Sequence, residues 1–136
     1  MIISYDFGYC RAEIYEDHIR VYINEGSVVG PENITELNYV AEKHFKNKPF
    51  VYLAVRIHSY TINPMIYFES NKIQNLLGVA IISKDPKQRS QARIEKAFTN
   101  KKLQQFETIG EALEWKDEII KNFIYNQHNH TLKNKK

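Results

Sequence analysis

The chain contains one cysteine in 136 residues, Cys10. An intrachain disulfide and a thiolate metal cluster are therefore excluded, and a reducing compartment fits. Nowhere does the sequence approach the roughly 18 consecutive apolar residues of a membrane span. Its start, MIISYDFGYC, lacks a basic leader, and the apolar stretch is too short for a signal peptide. The expected location is cytoplasmic. Glycine is also scarce, at five residues. The GSVVG stretch at 26–30 holds two of them but lacks the Gly-Lys-Ser/Thr ending that grips phosphate and magnesium. No repeat or low-complexity linker divides the chain, so one domain is expected over 1–124, followed by a polar, disordered tail at 125–136.

What is present is ordinary for a globular domain: 43% hydrophobic and 26% charged residues, enough to build a core without staples. The net charge of +3 conceals a division. Residues 1–43 carry eight acids and three bases, whereas residues 84–102 carry seven bases and two acids. The second segment includes Lys87, Arg89, Arg93 and Lys96, a candidate basic patch for an acidic partner. Nucleic acid is not the expected partner, because no aromatic residue interleaves the basic run before Phe98 and no reader motif is present.

Periodicity gives the elements. In 9–16 and 18–25, Cys10, Ala12 and Ile14 alternate with Arg11, Glu13 and Tyr15, and Ile19, Val21 and Ile23 with Arg20, Tyr22 and Asn24. This alternation predicts two half-buried strands, joined as a hairpin at Glu16–Asp17. From 31 to 45 the period changes: Ile34, Leu37, Ala41 and Phe45 mark one helical face. FVYLAVRI at 50–57 and LLGVAIIS at 76–83 are continuous apolar runs, suited to parallel strands covered on both faces. Asn63 with Pro64 predicts a short helix start between them. Asp85, Pro86 and Gln88 open a further helix with a thin apolar stripe of Ile94, Ala97 and Phe98. LQQFET at 103–108 is a weak edge strand. Thr108 and Glu111 then open a last helix with Ala112, Trp115, Ile119, Ile120 and Phe123 on its buried face. Pro31, Pro64 and Pro86 each follow a strand and open a helix. The order is ββαβαβαβα, an α/β fold whose mixed, mostly parallel sheet has about five strands, a leading antiparallel hairpin and four helices.

This order resembles the STAS, or anti-sigma-factor-antagonist-like (SpoIIAA-like), superfamily, nearest to its stand-alone bacterial members. GVAIISKDPKQRSQARIEKAF is similar to that superfamily's fourth strand and following basic helix, and FETIGEALEWKDEI to its closing strand and helix. The similarity spans about residues 9 to 123. It implies a non-enzymatic switch that binds other proteins. The better-known members carry a phosphorylatable serine in an Asp-Ser-Ser-Gly-like segment opening the second helix. The matching segment here is TINPMI at 61–66, with Asn63 and Pro64 where that hydroxyl would stand, so no residue is carried over.

In an open α/β sheet, ligands favour the carboxyl ends of the strands. Those ends hold Glu25, Gly26 and Ser27, then His58, Ser59, Tyr60, Thr61 and Asn63, then Ser83, Lys84 and Asp85. With Met65 and Tyr67 from the short helix, His58, Ser59, Tyr60, Thr61, Asn63, Ser83 and Lys84 form the candidate interaction or ligand surface. Cap and turn chemistry selects many of the same residue types. The leading reading is a regulatory protein-binding module. The alternative is a binder of an anionic or lipid-like small molecule at the same rim. A hydrolase using His58, with Ser27 or Ser83 as nucleophile and Glu25 or Asp85 as orienter, is a third reading. Adjacent His58 and Ser59 point to opposite strand faces and cannot form the pair themselves. No catalytic residue, cofactor or metal ligand is assigned. His128 and His130 lie in the polar tail without ligand-like packing. The strand edges leave self-association open.

Overall fold

The computed structural model describes residues 1–57 and 60–134. Along the chain run β1 (Ile3–Asp6), β2 (Cys10–Ile14), β3 (His18–Ile23), β4 (Val28–Val29), α1 (Ile34–His44), β5 (Phe50–Val55), β6 (Thr61–Ile62), α2 (Ile66–Ser70), β7 (Leu76–Ile82), α3 (Lys87–Lys96), β8 (Lys102–Phe106) and α4 (Ile109–Asn134). A 3-10 turn at Pro31–Asn33 leads into α1.

The main sheet has six strands in the order β1-β2-β3-β5-β7-β8. The first three are antiparallel, and β3, β5, β7 and β8 are parallel. The sixth strand, β1, corrects the expected five. Ile3, Tyr5 and Phe7 alternate with Ser4 and Asp6, but β1 is a mostly exposed edge, so its apolar signal is faint. The β1–β2 turn is closed by Gly8, whose φ of +90° suits a residue without a Cβ.

Alternation sorts the sheet's two faces. Cys10, Ala12, Ile14, Ile19, Val21 and Ile23 are buried with Val40, Ala41 and Phe45 of the α1 segment. Phe45 and Phe50, both fully buried, stack with ring centroids 4.4 Å apart. Val79 and Ile81 continue this face beneath Tyr67 of α2 and Ala92 of α3. The opposite residues of the same strands, Val51, Leu53, Val55, Ala80 and Ile82, pack on Ala112 and Ile119 of α4. Thus α1, α2 and α3 cover one face and α4 the other, which is why β5 and β7 read as continuous apolar runs. Gly78 lets α4 approach closely: a Cβ there would stand 3.0 Å from the Trp115 ring and 3.2 Å from the Lys102 carbonyl.

Two helices differ from the sequence pattern. On α3 the inward residues are Ala92 and Glu95, while Ile94 is 51% exposed. Of the expected stripe of Ile94, Ala97 and Phe98, only Phe98 packs inward, against the cluster around Ala92, while Ile94 and Ala97 are exposed because a carboxylate, Glu95, occupies the core side. On α4, helical backbone continues through 125–134, the segment read as a tail, with Ile124 and Tyr125 exposed.

At the pole away from the carboxyl strand ends, the β2–β3 turn is tied to α4. Asp17 accepts from His18 Nδ1 at 2.8 Å and from Lys116 Nζ at 2.8 Å, and Arg20 Nε donates to His18 Nε2 at 3.1 Å. Burial is the largest influence on His18 and, despite the Asp17 hydrogen bond, holds its imidazole below the ordinary value. Burial raises the Asp17 carboxyl, but hydrogen bonds from His18 and Lys116 outweigh it and hold the group below the usual carboxylate range.

Replacing Gly78 by valine will force Trp115 or the β8 backbone to move, lowering stability by about 1–3 kcal/mol in urea unfolding. Acid will weaken the fold in two stages. His18 binds its proton more readily unfolded than folded, so stability is complete above about pH 6.5 and declines as pH falls through the folded value. Asp17 adds a loss below the ordinary carboxylate range. Denaturation curves from pH 7 to pH 5 check the first stage, and the decline will be shallower in His18→Asn.

Candidate functional site

Parallel pairing places the carboxyl ends of β3, β5, β7 and β8 at one rim. Arg56 N–H donates to the Ile82 carbonyl at 2.9 Å, and Ser83 N–H to the Phe106 carbonyl at 2.9 Å. The proline-marked junctions meet there. β4 and β6 pair in parallel, setting Val28 beside Thr61 and Val29 beside Ile62. Asn63 N–H then donates to the Val29 carbonyl at 2.7 Å, which joins the Pro31 junction to the Pro64 junction. The third junction, at Pro86, is reached through a buried ion pair.

That pair joins Arg56, just past β5, to Glu95 on α3. Their side chains are 4% and 0% exposed. The guanidinium Nη1 donates to Glu95 Oε2 at 2.7 Å and Nη2 to Oε1 at 2.5 Å. Nη1 also donates to Gln88 Oε1 at 2.9 Å, and the Tyr67 hydroxyl to Glu95 Oε1 at 2.5 Å. The Tyr60 ring lies 5.4 Å from the guanidinium carbon. Burial alone would lower the Arg56 pKa; the hydrogen bonds to Glu95 reverse this and keep the guanidinium charged. Burial pushes the Tyr60 phenol up to about 12 against the opposing charge of Arg56. Tyr67 is held well above its usual value, first by burial and then by the Glu95 charge. All three side chains keep their protons at neutral pH. The cluster is a structural clamp between β5, α2 and α3.

The residues singled out from sequence fall into separate environments. Thr61, Asn63 and Met65 are exposed at the rim, and Tyr60 is half-buried beside Arg56. Asn63 works as a turn cap, its Oδ1 accepting from Met65 N–H at 3.1 Å. Tyr67 points into the core and does not reach the surface, because its hydroxyl completes the Glu95 site. Ser83 is also buried; its Oγ accepts from Asp85 N–H at 3.1 Å and shapes the entry to α3, while Lys84 is exposed. Asp85 Oδ1 accepts from Lys87 N–H at 3.0 Å, but Gln88 turns to Arg56, away from the cap. Lys87, Arg89, Arg93 and Lys96 all face solvent, with Arg89 making a 3.5 Å surface contact to Glu107. His58 and Ser59 lie outside the described residues, and with them the hydrolase geometry. Arg56, Gln88 and Glu95 were missed. Their signal was a charged residue ending an apolar strand, and a glutamate in helical phase with Ala92.

Among the described residues no group of three potential ligands is placed to hold a metal ion, and no helix is long and apolar enough to cross a membrane.

The architecture is that of a small α/β domain with a leading hairpin and one helix alone on the second face. No protein-family model and no curated protein matches the chain. Among solved structures it is similar to an uncharacterized protein of the DUF3478 family, with a SpoIIAA-like fold, from Shewanella loihica PV-4. The likeness has a TM-score of 0.53 at 19% identity and covers 79% of this chain and 91% of that one. The chain has a SpoIIAA-like fold.

Replacing Glu95 by leucine strands the Arg56 guanidinium in the core and will cost about 3–5 kcal/mol in chemical denaturation. The triple variant Arg56→Met, Glu95→Leu, Tyr67→Phe, which removes every partner together, will recover more than half of that loss. Equal losses in the two variants would show that the pair is not coupled.

Proposed function

We propose that this STAS-like domain is a non-enzymatic regulatory module that binds a protein partner in the cytoplasm through the rim at the carboxyl ends of its strands. The observation that carries the reading is a set of large apolar side chains left in water around that rim. Val28 is 66% exposed, Ile57 70% and Met65 45%. Exposed apolar side chains at a rim edged by Thr61, Asn63 and Lys84 resemble the apolar centre and polar border of a protein interface. Beside it, the solvent-facing Lys87, Arg89, Arg93 and Lys96 favour an acidic partner and would speed its approach. The nature of the fold is consistent with this reading, since SpoIIAA-like domains generally serve protein interaction.

The test pairs Val28→Asp with Met65→Asp, two exposed positions whose change leaves the core intact. A partner recovered by co-purification and identified by mass spectrometry will bind the double variant at least tenfold more weakly, about 1.4 kcal/mol. Reversing Lys87 and Arg93 to glutamate will chiefly slow association and flatten its salt dependence. Undiminished binding by a folded Val28→Asp, Met65→Asp protein would sink the assignment of the rim.

A further inference from the structure

A second region, independent of the rim reading, carries a more specific chemistry. A cavity of about 70 Å³ lies under α1, between that helix and the sheet, and extends toward Arg56. Among the described residues, two buried side-chain atoms lack a hydrogen-bond partner, Glu36 Oε2 and Arg56 Nε. Both residues line this one cavity. Buried polar atoms are ordinarily partnered, so two orphans of opposite kind, an acceptor and a donor, point to a group that is not part of the chain.

The surroundings restrict what that group is. The Arg56 charge is already neutralised by Glu95, so Nε has a hydrogen bond to offer but no net charge to attract an anion. A second carboxylate or phosphate there would be desolvated without compensation and repelled by Glu95. A neutral oxygen suits Nε. At the other end, the Glu36 carboxylate needs a donor, and an ammonium satisfies both its hydrogen bond and its charge. Phe7, Tyr9, Tyr52 and Tyr60 also line the space, and aromatic faces attract a cation. Phe7, Asn33, Glu36 and Leu37 are only part-buried and mark the open end, whereas Arg56 and Tyr67 are buried at the floor. An engineered cavity of about 150 Å³ takes benzene, so roughly half that volume admits about three or four heavy atoms.

We infer that this cavity binds a short amino alcohol, with its ammonium on Glu36 at the mouth and its oxygen accepting from Arg56 Nε at the floor. Water could fill the same space, but water would confer no preference for an amine.

The probe is 2-aminoethanol as its hydrochloride, at constant pH and ionic strength, against the full chain. The comparison arms are propylamine, which lacks the oxygen, and ethylene glycol, which lacks the ammonium. Four heavy atoms limit the affinity to about 40 μM at best, so titrations run to about 100 mM. The expected result is a saturable rise in melting temperature with 2-aminoethanol, at least threefold weaker binding of propylamine, and at least tenfold weaker binding of ethylene glycol. Glu36→Gln, at a part-exposed helix position, will abolish the amine preference. Amide chemical shifts in the unaltered protein, moving at Tyr9, Glu36 and Arg56 on titration, locate the site without relying on that variant. No saturable shift, equal responses to amine and glycol, or shifts confined to other amides would each overturn the inference and leave water as the occupant.

Discussion

Burying a guanidinium and a carboxylate together is tolerable only when each satisfies the other, and in this domain that condition fixes the rim at the carboxyl ends of the strands. Arg56 leaves the end of β5 where two helices must start, and Glu95 comes from the third turn of α3. Their bidentate contact, with Gln88 and the Tyr67 hydroxyl completing it, holds α2 and α3 at a set height above the strand ends. Hydrophobic packing alone would let such short helices slide, because apolar contact is not directional. Charge-assisted hydrogen bonds are directional, and removing either partner leaves a charge stranded in the core.

That clamp explains why the rim has an apolar surface at all. Tyr67 is drawn inward to Glu95, which leaves Met65, at the start of the short α2, turned toward water. The β4–β6 pair brings Val28 to the same rim. α3 likewise turns its basic residues outward because Ala92 and Glu95 face the core. An exposed apolar set and a basic flank thus follow from one buried contact, and so does the placement of Arg56 beside the cavity beneath α1.

Much of the fold was legible in the chain. The strict alternation around Cys10, Ala12, Ile14 and Ile19, Val21, Ile23 specifies a hairpin, since a shift of one residue would expose the whole apolar set. The apolar runs ending at Ile57 and Ser83 specify covered parallel strands, and Pro31, Pro64 and Pro86 mark where helices can begin. β1 was not legible because an exposed edge strand needs little apolar content. The α3 face was misread because Glu95 counts as polar in any pattern, although its burial is what defines that face. Tyr67 was placed at the surface for a related reason. Its sequence spacing beside Met65 and Phe68 suits either side of a five-residue helix, and the partner that decides the matter lies 28 residues away.

The sequence by itself determined the order of elements, the sides of most strands and the location of the junctions, because these depend on periodicity and backbone chemistry within a few residues. The tertiary structure decided which charges meet. Arg56 and Glu95 lie 39 residues apart, and Asp17 and Lys116 are separated by 99. Local sequence hints only that Arg56 ends an apolar strand and that Glu95 is in helical phase with Ala92; it does not say which charges pair. Only the stacking of α3 and α4 on opposite faces of the sheet takes Arg56, Glu95 and Lys116 out of water, and the burial of the Arg56–Glu95 pair turns ordinary side chains into the contact that positions the rim.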